Sequence, residues 1–207
     1  MENEDFRKYY DLERYLFEDV TARFHKNDSL DAFDFFCIII WKANRAKPNI
    51  ARRLMSSSRG KLRTEFATVD EATQALTGSI AQAPDNKSRL RILLEDWGFR
   101  LPMASAILTV LYPEEFTVYD MRVCGVLNDF HKIQNLVRFA SIWTEYEKFL
   151  QAVREAVKGD YSLRDKDRWL WGKSRAEELR EDIASGFRGR VHSPAARDVP
   201  GGSDPTG

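Results

Sequence analysis

The chain is poor in the residues that build cross-linked or metal-centred folds. It has only two cysteines in 207 residues, Cys37 and Cys124, and both fall in apolar stretches. A disulfide framework is excluded, and both are expected as reduced core thiols. Two scattered cysteines also exclude a four-cysteine iron–sulfur cluster. The three histidines, His25, His131 and His192, show no ligand spacing, so no metal site is expected. Long apolar runs are missing as well. The longest, such as 35–41 (FFCIIIW), are far short of the roughly 20 residues a membrane span needs. The acidic start MENEDF is unlike a secretory leader. The chain is therefore expected to be cytoplasmic, with no membrane partner.

Net charge is absent too: 32 lysines and arginines face 32 aspartates and glutamates. On average this gives no reason to bind a polyanion, but the charges are unevenly distributed. Residues 42–63 (KANRAKPNIARRLMSSSRGKLR) hold Lys42, Arg45, Lys47, Arg52, Arg53, Arg59, Lys61 and Arg63 without one acidic residue. Such a run makes a local positive field suited to a phosphate backbone, with Ser56, Ser57 and Ser58 as candidate phosphate donors. A solvated helix face would also look like this.

Strand signals are scarce, and helical spacing runs through most of the chain. Residues 6–24 place Tyr9, Leu12, Tyr15, Leu16 and Val20 at helical intervals, and 30–41 continue the pattern. A short helix is expected over 49–55, another opening at Thr68, and a further one after Pro84-Asp85-Asn86. Residues 132–157 carry Leu136, Phe139, Ile142, Trp143, Tyr146, Phe149, Leu150 and Val153, which predicts one long amphipathic helix. Ser162-Leu163-Arg164-Asp165 has capping-box form, so a last helix should run from there toward Lys173 with its tryptophans on the core, and 177–183 can extend it. From Gly186 the composition turns to Gly, Pro, Ser and Arg. An all-α domain over 1–185 and a disordered tail over 186–207 are the expectation.

The most informative stretch is 97–123, WGFRLPMASAILTVLYPEEFTVYDMRV. A helix ends at Trp97, and Gly98 supplies a stop that accepts a left-handed conformation. Pro102 sits where the next helix starts, and 103–111 (MASAILTVL) is almost wholly apolar. The N–H groups of that first turn, at the positive end of the helix dipole, form a natural phosphate seat. Residues 116–119 (FTVY) have strand-like composition, and Asp120 precedes an apolar-periodic run, as an N-cap would.

This segment resembles the helix-hairpin-helix plus catalytic-aspartate core of the base-excision DNA glycosylases, the HhH-GPD superfamily. The matching pieces are Gly98-Phe99, Ala104-Ser105, Ile107-Leu108, Phe116-Thr117-Val118 and Asp120, about 35 residues in all. The resemblance implies an all-α glycosylase-like fold with DNA as partner, acting as a monomer. It further implies that Asp120 is the catalytic carboxylate. The DNA contacts would come from Gly98, Phe99, Arg100, Pro102, Met103 and Ala104 at the hairpin, joined by Lys42, Arg45, Arg52 and Arg53. Two positions depart from the family pattern. Arg100 stands where a second hairpin glycine is usual, so the phosphate seat is altered. Pro102 stands where strand-cutting members carry a Schiff-base lysine, which implies a monofunctional, water-using enzyme. No cofactor is expected, although the resemblance leaves room for a monovalent cation at the hairpin.

Breaking an N-glycosidic bond places positive charge on the sugar, so one fixed carboxylate suits the chemistry. Trp41, Tyr119 and Trp169 are candidates to stack on an extruded base, and Trp171 belongs with them; each also reads as a core anchor. Lys42 is a candidate nucleophile if burial lowers its pKa, but nothing in the spacing brings it near Asp120. Glu114 and Glu115 read as loop charges, with either a candidate for a second carboxylate. A non-catalytic hairpin DNA-binding module and a helical interaction protein remain the other two classes.

Overall fold

Most helices begin at a side chain that accepts a hydrogen bond from the first turn. Asp31, Thr68, Asp85 and Ser162 accept from the backbone N–H of Asp34, Glu71, Ser88 and Asp165. These caps satisfy donors that a helix start otherwise leaves unpaired. The computed structural model describes residues 5–56 and 65–188. Within them, α1 runs over 12–27 in three continuous pieces, Leu12–Tyr15, a π-helical turn at Leu16–Val20, and Thr21–Asn27. Then come α2 (Ala32–Ala43), α3 (Lys47–Met55), α4 (Val69–Ala81) and α5 (Asn86–Arg91), the last extended by a π-helical turn at Ile92–Asp96. The chain continues with α6 (Leu101–Leu111), α7 (Met121–Leu127), α8 (Phe139–Ala156) and α9 (Leu163–Ala184). The all-α expectation holds. Of the expected tail, residues from Gly189 on lie outside the described residues.

The hairpin helix α6 is the centre of the core. Eight consecutive residues, Ala104 to Leu111, are buried, because the sequence there offers no polar face beyond Ser105 and Thr109. Those two hydroxyls are used internally: Thr109 donates to the Ser105 carbonyl, and Ser105 Oγ accepts from the Tyr119 N–H at 2.9 Å. Around α6 pack α1, α2, α5 and the π turn after it. Thr21 of α1 donates its hydroxyl to the Val110 carbonyl at 2.6 Å, fixing α1 against α6.

Residues 116–120 are extended, as their composition suggests, but no strand pairs with them, and the described residues contain no sheet. Side chains replace the missing partner. The Tyr146 hydroxyl accepts from the Thr117 N–H at 3.2 Å and donates to the Thr117 carbonyl at 2.6 Å, while Ser105 takes the Tyr119 N–H. The buried backbone is thereby satisfied without a ladder.

One expectation is corrected. The predicted helix over 132–157 is two elements, a 3-10 turn at His131–Asn135 and α8 from Phe139. Leu136 is extended (φ −74, ψ 141) and still packs on the core, so its apolar periodicity carried over from a turn. The last helix runs on past Lys173 through the 177–183 extension to Ala184. Arg122 of α7 binds Glu178 at 2.6 Å, and Arg175 binds the same carboxylate at 2.9 Å, holding that extension against α7.

Candidate functional site

The hairpin forms as the sequence suggests. Gly98 has φ 64, the left-handed region where a Cβ is costly. The Phe99 N–H then closes on the Leu93 carbonyl at 2.8 Å. Arg100 is the N-cap residue of α6, exposed and extended, and its side chain makes no capping bond. Pro102 and Met103 are partly buried in the first turn, whereas Phe99 and Ala104 are buried and face the core. Of the hairpin candidates, Phe99 and Ala104 therefore shape the turn rather than offer a side chain to DNA.

The basic run reaches this hairpin through Arg53, whose guanidinium lies 5.6 Å from the centre of the Phe99 ring. Arg52 is exposed on α3 and bonds Asn49 Oδ1 at 2.6 Å, and Arg45 is exposed just before α3. Ser57, Ser58, Arg59, Lys61 and Arg63 lie outside the described residues.

Asp120 caps α7 and does more. Its Oδ1 accepts from the Arg122 N–H at 2.9 Å, and its Oδ2 accepts from Lys42 Nζ at 2.8 Å. Lys42 lies 78 positions earlier, near the end of α2, and both side chains are largely shielded from water, 17% and 22% exposed. Burial works to raise the Asp120 pKa, but the Lys42 charge and hydrogen bond, with the Arg122 N–H, outweigh it. The carboxyl is held below its ordinary value and is ionised at neutral pH.

The pair opens into a cavity of about 450 Å³, lined by Glu13, Trp41, Lys42, Val118, Asp120 and a row from α9. That row is Arg164, Asp167, Arg168 and Trp171, the spacing of one helix face. Arg164 bridges the wall: it donates to Asp167, donates to Glu13 at 2.8 Å, and lies over the Trp41 and Phe17 rings at 5.1 and 5.0 Å. Arg168 adds a second contact to Glu13 at 3.2 Å. Asp167 is only 3% exposed. Burial pushes its carboxyl up to about 6 against the pull of Arg164 and Lys42, and the Asp120 charge adds to the rise.

No family model, no curated protein and no solved structure matches this chain.

The cavity geometry sorts the aromatic candidates. Trp41 lines the cavity, half-covered by Phe17 at 5.7 Å. Tyr119 does not: it is 1% exposed, packs edge-on to Phe149, and donates its hydroxyl to the Phe130 carbonyl at 2.9 Å. Its place in a base pocket is corrected to a core position, because side chains alternate along an extended segment and Val118 and Asp120 take the cavity side. Trp169 is corrected too. It stands half exposed, five residues from Arg164 and off the cavity face of α9, while Trp171 lines the cavity at 45% exposure. Neither tryptophan is the core anchor that its composition suggests. Glu115 pairs with Arg89 at 3.1 Å, away from this cavity.

Sequence reasoning missed Glu13, Arg164, Asp167 and Arg168. A signal was there for α9: charged residues and an indole at i, i+3, i+4 and i+7 form a stripe too polar for a core face and too regular for a random surface. Among the described residues no group of three or more His, Cys, Asp or Glu side chains is arranged to hold a metal ion, and no helix is long and apolar enough to cross a membrane.

Proposed function

We propose that the chain is a monofunctional DNA glycosylase that takes an extruded base into the Trp41–Trp171 cavity and hydrolyses its N-glycosidic bond. The observation that carries this reading is an ionised, largely buried Asp120 on the wall of a base-sized cavity, joined through the extended segment to a left-handed hairpin at Gly98. A cavity of about 450 Å³ falls within the ~300–1,000 Å³ typical of small-molecule pockets. The exposed Arg45, Arg52 and Arg100 would meet phosphate, with Arg53 close to the hairpin.

The chemistry follows from charge. As the C1′–N bond lengthens, the sugar becomes an oxocarbenium-like cation, and a fixed carboxylate in a water-poor wall stabilises it more than bulk water does. Lys42 holds Asp120 ionised and oriented. Its ammonium is engaged in that pair, so it offers no lone pair to C1′, and water is the nucleophile. The reading calls for no cofactor and requires one chain on one DNA duplex.

The test is incubation of wild type and Asp120→Asn with duplexes carrying damaged and naturally modified bases, followed by alkali. The expected result is alkali-dependent breaks from wild type only, with DNA affinity kept in the variant. Breaks without alkali would instead make Lys42 the nucleophile. A second reading, a hairpin DNA-binding module without catalysis, is favoured by one observation: both Asp120 oxygens already have protein partners. DNA binding with no base release from any duplex would establish it.

A further inference from the structure

Three carboxylates line the cavity, those of Glu13, Asp120 and Asp167, and the glycosylase reading uses only Asp120. Asp167 sits one helical turn from Arg164 on the inward face of α9, where it is buried and lines the cavity. It meets Arg164 in a network in which Glu13 is shared between Arg164 at 2.8 Å and Arg168 at 3.2 Å. As a purely structural element it is costly, since a buried ion pair seldom outperforms apolar residues of similar volume. A side chain kept at such a cost on a cavity wall is best explained by what enters the cavity.

Resting on the glycosylase reading, we propose that Asp167 is the acid that protonates the departing base, and that the substrate is an uncharged base needing that proton to leave. An alkylated base that already bears positive charge departs without an acid, and one carboxylate suffices for it. A second, more deeply buried carboxylate whose pKa is raised toward neutrality suits a neutral base.

The electron pair of the C1′–N bond goes to the base, and the Asp167 carboxyl proton goes to a ring nitrogen or carbonyl oxygen of that base. Water oxygen bonds to C1′, and the water proton goes to Asp120. Solvent then restores both carboxyls. The groups that set the Asp167 proton come from every side: Arg164 and Arg168 on its own helix, Glu13 of α1, Lys42 of α2, Asp120 before α7, and the buried Tyr146 of α8. Burial holds the carboxyl up to about 6 against the two nearest cations, so a proton is available near neutrality.

The experiment measures single-turnover release from duplexes carrying N7-methylguanine, the charged probe, and hypoxanthine, uracil, 1,N6-ethenoadenine and 5-hydroxymethylcytosine, the neutral probes. Rates are followed from about pH 5 to about pH 8, where a required acid makes the rate fall about tenfold per pH unit above its pKa. The expected result is release of at least one neutral base with that falling limb. Asp167→Asn should lose about 10²–10⁴-fold on that base and flatten the limb, while Asp167→Glu recovers part of the loss. Release of N7-methylguanine alone overturns the proposal, as does a flat wild-type profile, which needs no variant to fold. Neutral-base release that is equally fast in Asp167→Asn also overturns it. Each of these leaves the glycosylase reading standing; no release by wild type from any duplex removes both.

Discussion

Replacing Lys42 by methionine keeps most of the side-chain volume and removes the cation beside Asp120. At 2.8 Å, with an effective dielectric of about 20, the gross attraction is roughly 6 kcal/mol, much of it offset by desolvation. Breaking a buried pair by removing one partner costs about 3–5 kcal/mol, and the residual exposure of both groups favours the lower end. A loss of about 3 kcal/mol should lower Tm by about 6–12 °C in a domain of this size. The pH dependence gives the sharper test. In the wild type the folded pKa of Asp120 is depressed, so its contribution is present above the unfolded carboxylate value and is lost as pH falls through the folded one. Without Lys42, burial is the leading influence and the folded pKa moves up. The variant's deficit is then largest at neutral pH and shrinks as acid protonates Asp120, because its folded state now binds the extra proton. Thermal melts of both proteins at about pH 7.5 and about pH 4.5 should show that convergence. The Lys42→Met, Asp120→Asn double variant should be more stable than the sum of its parts by about 1–3 kcal/mol. A deficit under about 1 kcal/mol, or one equal at both pH values, would refute the account of the pair.

Arg52→Ala with Arg53→Ala should weaken DNA affinity and reduce the slope of log K against log salt by about one to two, measured by fluorescence anisotropy across salt. An unchanged slope would take α3 out of the DNA interface. Trp171→Ala should raise KM for base release several-fold while Tm stays within about 1 °C, since the indole lines the cavity yet stands 45% exposed. Equal kinetics would mean that the base stacks elsewhere.

What was legible in the sequence was local. Caps at Thr68, Asp85, Asp120 and Ser162 and the stop at Gly98 each depend on a few adjacent residues, so their chemistry shows in the linear text. The Asp120–Lys42 pair was not legible, because it closes over 78 residues and depends on how α2 crosses the hairpin core. The facing of α9 was hidden for another reason. Tryptophan suggests burial, yet Trp169 and Trp171 are half exposed, and the polar residues Arg164 and Asp167 are the ones turned inward. Tyr119 is a different case. Adjacent residues of an extended segment cannot share a wall, and its neighbour Asp120 already held the cavity side.

The fastening of the 116–120 segment has a consequence for exchange with solvent. Its Thr117 and Tyr119 amides belong to no helix and no sheet, and yet each is held by a side chain of the innermost core, Tyr146 and Ser105, both fully buried. Local fraying cannot release them. Their deuterium uptake should be as slow as that of α6, set by opening of the whole domain, whereas the exposed Glu114 amide in the neighbouring turn should exchange readily. The aspartate at the end of this segment is therefore carried by irregular chain fastened to the core, and under the proposed function adjustment during binding would fall to the nucleic acid.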